Sequence, residues 1–273
     1  PVGGRPAALG GAYSALAADA YAPVWNPAGL SSLGKTQAAA MHLDYAESMG
    51  YEFVSFAHPL GARDGVGAAA SYLHPVRTVA RNAAGAETGA FTAHDAAYTL
   101  AYGHAFADSL SLGAAFKIIE SRIDDVSARA YGGDIAALYR SGRSIAIAAV
   151  AANIGTKLRY INESDRLAET YRLGLLVSPF KFLNGVVEAG YERADRAFAR
   201  FGAEWVPLTA LALRAGYHSD GTRGFTGLSG LTAGVGLTAF GQRFDYAWVP
   251  MGDLGQTQYF SVVFTFGAGG THE

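Results

Sequence analysis

Cysteine is absent from the 273 residues, so no disulfide framework, thiolate metal site or cysteine nucleophile is available. Charge is scarce as well: Asp, Glu, Lys and Arg make up 16 %, against roughly 25 % in a soluble domain. The formal net charge of −2 supplies no electrostatic footprint for nucleic acid. Long apolar runs are also missing. The stretch Ile145–Ala152 falls far short of the about 20 consecutive apolar residues that a membrane-spanning helix needs. Yet 50 % of the residues are hydrophobic and the mean hydropathy is +0.13, which excludes a disordered chain. Glycine is plentiful at 35 residues, about twice the usual ~7 %. No basic stretch followed by an apolar one opens the chain at Pro1; the expectation is a mature chain whose signal peptide has been removed.

Periodicity says where the apolar residues go. From Gln256 to Phe266, Phe260, Val262, Phe264 and Phe266 fall on one face and Tyr259, Ser261, Val263 and Thr265 on the other, the period-two signature of a strand. The same alternation runs through Tyr171–Ser178, Arg196–Trp205, Leu211–His218 and Arg243–Trp248. Turn signals divide the chain into about fourteen such segments, starting near 37, 51, 65, 92, 109, 129, 143, 170, 184, 196, 209, 229, 242 and 256. Most run about nine to thirteen residues, the length of a tilted membrane-spanning strand. Short links such as Ala107-Asp108, Ser141-Gly142, Pro207-Leu208 and Gly241 alternate with long ones, Pro75–Phe91, Ser121–Ala128, Asn153–Glu169 and Ser219–Leu228. Bacterial outer-membrane barrels have this parity of short and long connections. Tyr72, Tyr102, Tyr139, Trp205, Tyr217 and Trp248 near segment ends fit interfacial girdles. The expected fold is all-β: a closed antiparallel transmembrane β-barrel of about 14 strands over residues 37–267, preceded by a luminal hatch over 1–36 and followed by a tail over 268–273. A soluble two-sheet sandwich is the alternative. Strand length, low charge and glycines at would-be solvent-facing positions weigh against it.

The expected site is a stripe of charge. Arg172, Glu188, Glu192, Arg200, Glu204, Arg214, Arg243 and Asp245 all fall on the face opposite the aliphatic and aromatic one. On the lipid side a midplane Arg or Lys would cost about 2–4 kcal/mol, so the stripe is expected inside the barrel. There it forms a balanced network that holds the hatch, rather than an ion path. Other patterns carry less. Gly29–Thr36 matches the phosphate-loop spacing, but Pro23 and Pro27 before it leave no buried strand to present phosphate-binding amides. Gly234–Ala239 imitates a dinucleotide fingerprint inside a strand pattern. His42, His58, His74, His94, His104, His218 and His272 show no metal-ligand spacing, and no nucleophile elbow is present. No catalytic residue, metal or cofactor is expected.

The run Gly4–Leu30, with Gly10-Gly11-Ala12 and Asn26-Pro27-Ala28-Gly29-Leu30, resembles the N-terminal signature of the PorV/PorQ family, within the wider class of FadL-like outer-membrane transport barrels. Glu188–Tyr191, Arg200–Trp205, Leu213–Tyr217 and Phe244–Gly255 continue the resemblance. It implies a fourteen-stranded barrel in the outer membrane of a Gram-negative-type bacterium, with Asn26, Pro27, Ala28 and Gly29 in its hatch. PorV-like relatives serve protein export by type IX secretion. The first implied function is therefore a non-enzymatic docking or shuttle component, whose partners are a secretion translocon or secreted cargo. FadL-like relatives pass hydrophobic small molecules, so a channel with a hydrophobic ligand is the second reading. A structural anchor for a surface-assembly protein is the third. Outer-membrane lipid, or detergent in its place, is the common partner.

Overall fold

Strands that alternate greasy and polar residues can satisfy every backbone group in a membrane only by closing on themselves, and this chain closes. The computed structural model describes residues 1–45, 49–160, 164–193, 196–219, 229–252 and 255–267; the expected tail over 268–273 lies outside them. Two short helices, α1 (Gly4–Ala8) and α2 (Ala22–Trp25), and a 3₁₀ helix over Pro27–Ser32 precede the sheet. The strands are β1 (Thr36–Tyr45), β2 (Met49–Pro59), β3 (Asp64–Arg81), β4 (Glu87–Ala105), β5 (Leu110–Ile123), β6 (Val126–Ser141), β7 (Ile145–Gly155), β8 (Lys157–Arg159), β9 (Ser164–Arg166), β10 (Thr170–Phe180), β11 (Leu183–Glu192), β12 (Arg196–Leu208), β13 (Leu211–His218), β14 (Leu231–Ala239), β15 (Gln242–Pro250) and β16 (Gln256–Phe266). Fourteen of them form a closed antiparallel barrel, β1 pairing with both β2 and β16, while β8 and β9 make a separate hairpin. The expected all-β barrel is the observed fold. No described helix is long and apolar enough to cross a membrane.

The alternation sorts as the pattern predicts. On β16, Tyr259 and Val263 are buried while Phe260, Phe264 and Phe266 are exposed on the outside. The outer surface carries Leu173, Leu100, Ile135, Phe201, Leu237 and Phe244, with Tyr102, Tyr139 and Trp205 exposed toward strand ends. In a soluble protein that surface would expose far more than a few hundred Å² of apolar patch.

Three expectations about the connections need correction. Pro75–Phe91 is not a long loop: β3 and β4 run on to Arg81 and from Glu87, and the proline is absorbed by a register shift between Leu73 and Val76. A proline lacks the N–H a ladder needs, and a bulge removes that need. Ser121–Ala128 is likewise mostly strand. Asp124, at φ 54, and Asp125 alone turn β5 into β6, since a short acidic side chain tolerates the left-handed backbone. On this end of the barrel the strands overhang where long loops were expected. Pro207 and Leu208 also belong to a strand, β12.

Between Gly4 and Ala20 the N-terminal stretch is helical only over α1. Gly10 and Gly11, at φ 65 and 78, break it in a conformation that costs glycine nothing. Nearly every residue from Gly3 to Leu33 is buried. α1 packs on β13–β16 and the 3₁₀ helix on β2–β6, strands from opposite sides of the ring, so this segment crosses the lumen. Inner-wall glycines make the room. A Cβ on Gly202 would sit 2.8 Å from Leu9 Cβ, and one on Gly113 would meet the backbone of Pro27 and Ala28.

Candidate functional site

Asn26 fixes the middle of the N-terminal segment. It is fully buried; its side-chain amide donates to Ser14 O (2.8 Å) and its Oδ1 accepts from Ala28 N (3.0 Å). Pro27 opens the 3₁₀ helix with the φ it prefers, and Gly29 lies so close to Ala17 O that no side chain fits. The four residues of the expected hatch motif thus fold the segment into a block. Further bonds seat the block on the wall: Gly4 N to Ser261 Oγ (3.0 Å), Gly10 N to Thr232 Oγ1 (3.0 Å) and Ser55 Oγ to Ala20 O (2.7 Å).

The charged stripe faces inward, and part of it closes into a ring with the block. Arg5 donates from Nε and Nη2 to the two oxygens of Glu204 (2.8 and 2.7 Å). Arg214 donates to Glu204 Oε2 (2.7 Å) and to Asp245 Oδ1 (2.8 Å). Arg243 donates to Asp245 Oδ2 (2.8 Å) and to Asp19 Oδ2 (2.9 Å). Asp19 returns to Arg5 at 3.7 Å. Signs alternate around the ring, and two of its members, Arg5 and Asp19, belong to the luminal block. Burial by itself would push the Asp19 carboxyl up, but Arg243 and Arg5, with the Tyr13 hydroxyl donating at 2.6 Å, hold it below the ordinary carboxylate range. Burial and that same carboxylate push the Tyr13 phenol well above its usual value, so it stays a neutral donor.

The other expected charges sit apart from the ring. Glu188 pairs with Arg200 (3.3 Å) and accepts from Ser14 N (3.0 Å). Arg172 pairs with no carboxylate among the described residues. Its Nη2 donates to Trp25 O (2.9 Å), its guanidinium stands 5.5 Å from the Trp25 ring centre, and its buried Nε has no acceptor. Glu192 lines a large cavity above the block. The pattern left out Arg5, Asp19, Lys117 and Asp134; the last two form a separate buried pair at 2.7 Å. Arg5 and Asp19 are the charged residues of the first 34 positions, and two isolated opposite charges in a small-residue segment were the available signal. Gly234–Ala239 lies inside β14. The described residues hold no group of three His, Asp or Glu side chains disposed to bind a metal ion.

Above the block, toward the overhanging strand ends, opens a cavity of about 970 Å³. Its floor is Val2, Val24 and Trp25, and its apolar wall is Leu43, Tyr51, Leu73, Val249 and Tyr259. Arg172, Glu192, Arg200 and His218 line the opposite wall. A concave space of this size, more apolar than polar in its lining and with a few convergent polar groups, has the ordinary form of a small-molecule site.

The model of an uncharacterised protein family, UPF0164, matches residues 1–161. No curated protein matches the sequence. Among solved structures the chain is similar to the CymD monoaromatic hydrocarbon channel, with TM-score 0.71, 12 % identity and 98 % of each chain covered. It is similar also to the toluene transporter TodX of P. putida, with TM-score 0.65, 11 % identity and coverage of 96 % of this chain and 98 % of that one. A Pseudomonas aeruginosa FadL homologue gives TM-score 0.60 at 12 % identity, covering 93 % and 95 %. At such identities the likeness is one of fold.

Proposed function

We propose that this chain, which belongs to the UPF0164 family, is a FadL-like channel of the outer membrane that admits hydrophobic small molecules through the cavity above its luminal block. The observation that carries the reading is that cavity: a concave volume of about 970 Å³ with more apolar than polar lining, floored by the block and open toward the overhanging strand ends. A polar-lined pore would suit hydrated solutes. Burial of an aromatic or alkyl body against Trp25, Leu43 and Tyr259 instead gains about 25 cal/mol per Å² of apolar surface. The likeness in fold to channels described as passing monoaromatic hydrocarbons and toluene supports the same reading. In it residues 1–36 act as the hatch, and the ring through Arg5 and Asp19 holds that hatch in place.

Export and surface anchoring, the other roles implied by the sequence, draw support from the resemblance alone; neither needs an apolar chamber under the mouth. The test is binding of toluene and of a longer alkyl probe to the purified full chain in detergent micelles and in phospholipid nanodiscs. Quenching of Trp25 fluorescence, in a variant with Trp205 and Trp248 changed to Phe, is the readout. Saturable quenching, weakened several-fold by Leu43→Asp, supports the channel. Absence of binding, together with co-purification of a secretion translocon, overturns it.

A further inference from the structure

A second cavity, of about 350 Å³, opens on the other side of the block, at the end of the barrel where the connections are short. Its lining comes from four elements: the 3₁₀ helix gives Ser31 and Ser32, the β2–β3 turn gives Arg63, the β4–β5 region gives Ser109 and Ser111, and β6 gives Arg140. Arg140 faces the lumen, in phase with buried Leu138 and out of phase with exposed Tyr139. Its guanidinium donates to Ser32 Oγ, and among the described residues no carboxylate pairs with it. Arg63 reaches a carboxylate only at 3.6 Å, that of Asp108, which is fully exposed; such a pair is worth little. Ser31 shares its one hydroxyl proton between Ala28 O (2.9 Å) and Ser111 Oγ (2.8 Å). The pocket therefore presents two guanidinium groups and the hydroxyls of Ser32, Ser109 and Ser111 against a single, outlying acid.

We infer that this pocket binds a small tetrahedral oxyanion of the phosphate class on the short-turn face of the barrel. A planar carboxylate can engage one guanidinium fork. A tetrahedral anion offers oxygens in several directions at once, which matches donors arriving from several separate elements. At about 30 Å³ per water, the volume also holds the anion with part of its hydration shell. The hydroxyls of Ser31 and Ser32 belong to the stretch whose spacing imitates a phosphate loop. Here Ser32 acts through its side chain, bonded to Arg140, rather than through a cradle of amides. An anion in this place links the 3₁₀ helix to β6 and the β2–β3 turn, and so braces the block from below. The site is independent of the hydrophobic cavity above.

The experiment is titration of inorganic phosphate into the purified full chain at low ionic strength, followed by calorimetry and ³¹P line broadening. The expected result is saturable one-to-one binding, weakened about tenfold or more by Arg140→Gln, since one charge-assisted bond is lost. Arg81→Gln, on the exposed overhanging hairpin, leaves it unchanged. Should Arg140→Gln fail to assemble, as read by heat-modifiable gel mobility, Ser109→Asp sets a carboxylate in the pocket and must abolish binding. No saturable binding, or equal affinity in wild type and in the folded pocket variants, overturns the proposal whether or not toluene binds above. Repeating the titration in nanodiscs of phosphatidylcholine and of phosphatidylglycerol identifies the source. Competition by the anionic lipid marks a headgroup as occupant, and unchanged affinity marks a free anion; either result keeps the site.

Discussion

Arg5 and Asp19 stand 14 positions apart in a segment otherwise made of small and apolar residues, and each finds its partners on strands that come roughly two hundred residues later. Ring position decides what each charge is worth. Glu204 and Arg214 are almost wholly buried, with side-chain exposures of 3 and 2 %. Removing one partner there strands the others, at a cost of about 3–5 kcal/mol. Arg81 and Glu87, exposed on the overhanging hairpin at 57 and 62 %, are worth at most about 1 kcal/mol. Glu204→Ala is accordingly expected to speed hydrogen exchange at residues 4–14 by orders of magnitude, whereas Glu87→Gln leaves it unchanged. Asp19 adds a pH dependence. Because its folded pKa lies below the ordinary 3.8, its stabilisation is complete above that ordinary value and is lost as pH falls through the depressed one. Protease protection of the luminal block should hold at pH 6 and fall at pH 3 or below. Asp19→Asn should weaken protection at both.

At the scale of elements, strand pairing is a local and periodic property, and it was legible for that reason. β10, β12, β15 and β16 could each be read from alternation alone, and observed strand starts at Thr36, Asp64, Thr170, Arg196, Gln242 and Gln256 fall within a residue of the turn signals. What hid was whatever depends on closure. Pro75 looks like a strand end until a register shift at Leu73/Val76 supplies a partner strand that needs no N–H there. The luminal block has no period, because its shape is set by the wall it touches: Gly202 and Gly113 are small so that Leu9 and Ala28 can approach. The stripe of eight charges was readable as inward-facing, but its division into a ring, a separate Glu188–Arg200 pair, an Arg172 turned onto Trp25 and a Glu192 lining the large cavity was not. That division is drawn by Arg5, Asp19 and Trp25 from across the lumen. Leu173 tests the outer face of one such element. Exposed at 64 % on β10, it should cost about 2–4 kcal/mol when replaced by Arg, read as the urea midpoint of the barrel in phospholipid vesicles. Leu173→Ala should cost far less, since no packed neighbour is lost.

Taken as one molecule, the barrel inverts the usual protein: its greasiest surface is outside and its charges are within, knitted to a block that divides the interior into an apolar chamber above and a basic pocket below. Both proposed sites depend on that inversion, because each is a space between the block and an inward-facing wall. The absence of cysteine makes it directly measurable. Single cysteines placed at Leu173, Leu213 and Phe244, and at the inward-facing positions Gly174, Ala212 and Ala247 of the same strands, can carry nitroxide labels on the full chain in phospholipid vesicles. Collisional relaxation by oxygen should dominate at the first three positions and be suppressed at the second three. A water-soluble nickel complex that relaxed Leu173, Leu213 and Phe244 as strongly as oxygen does would contradict the membrane-spanning barrel, and the chamber with it.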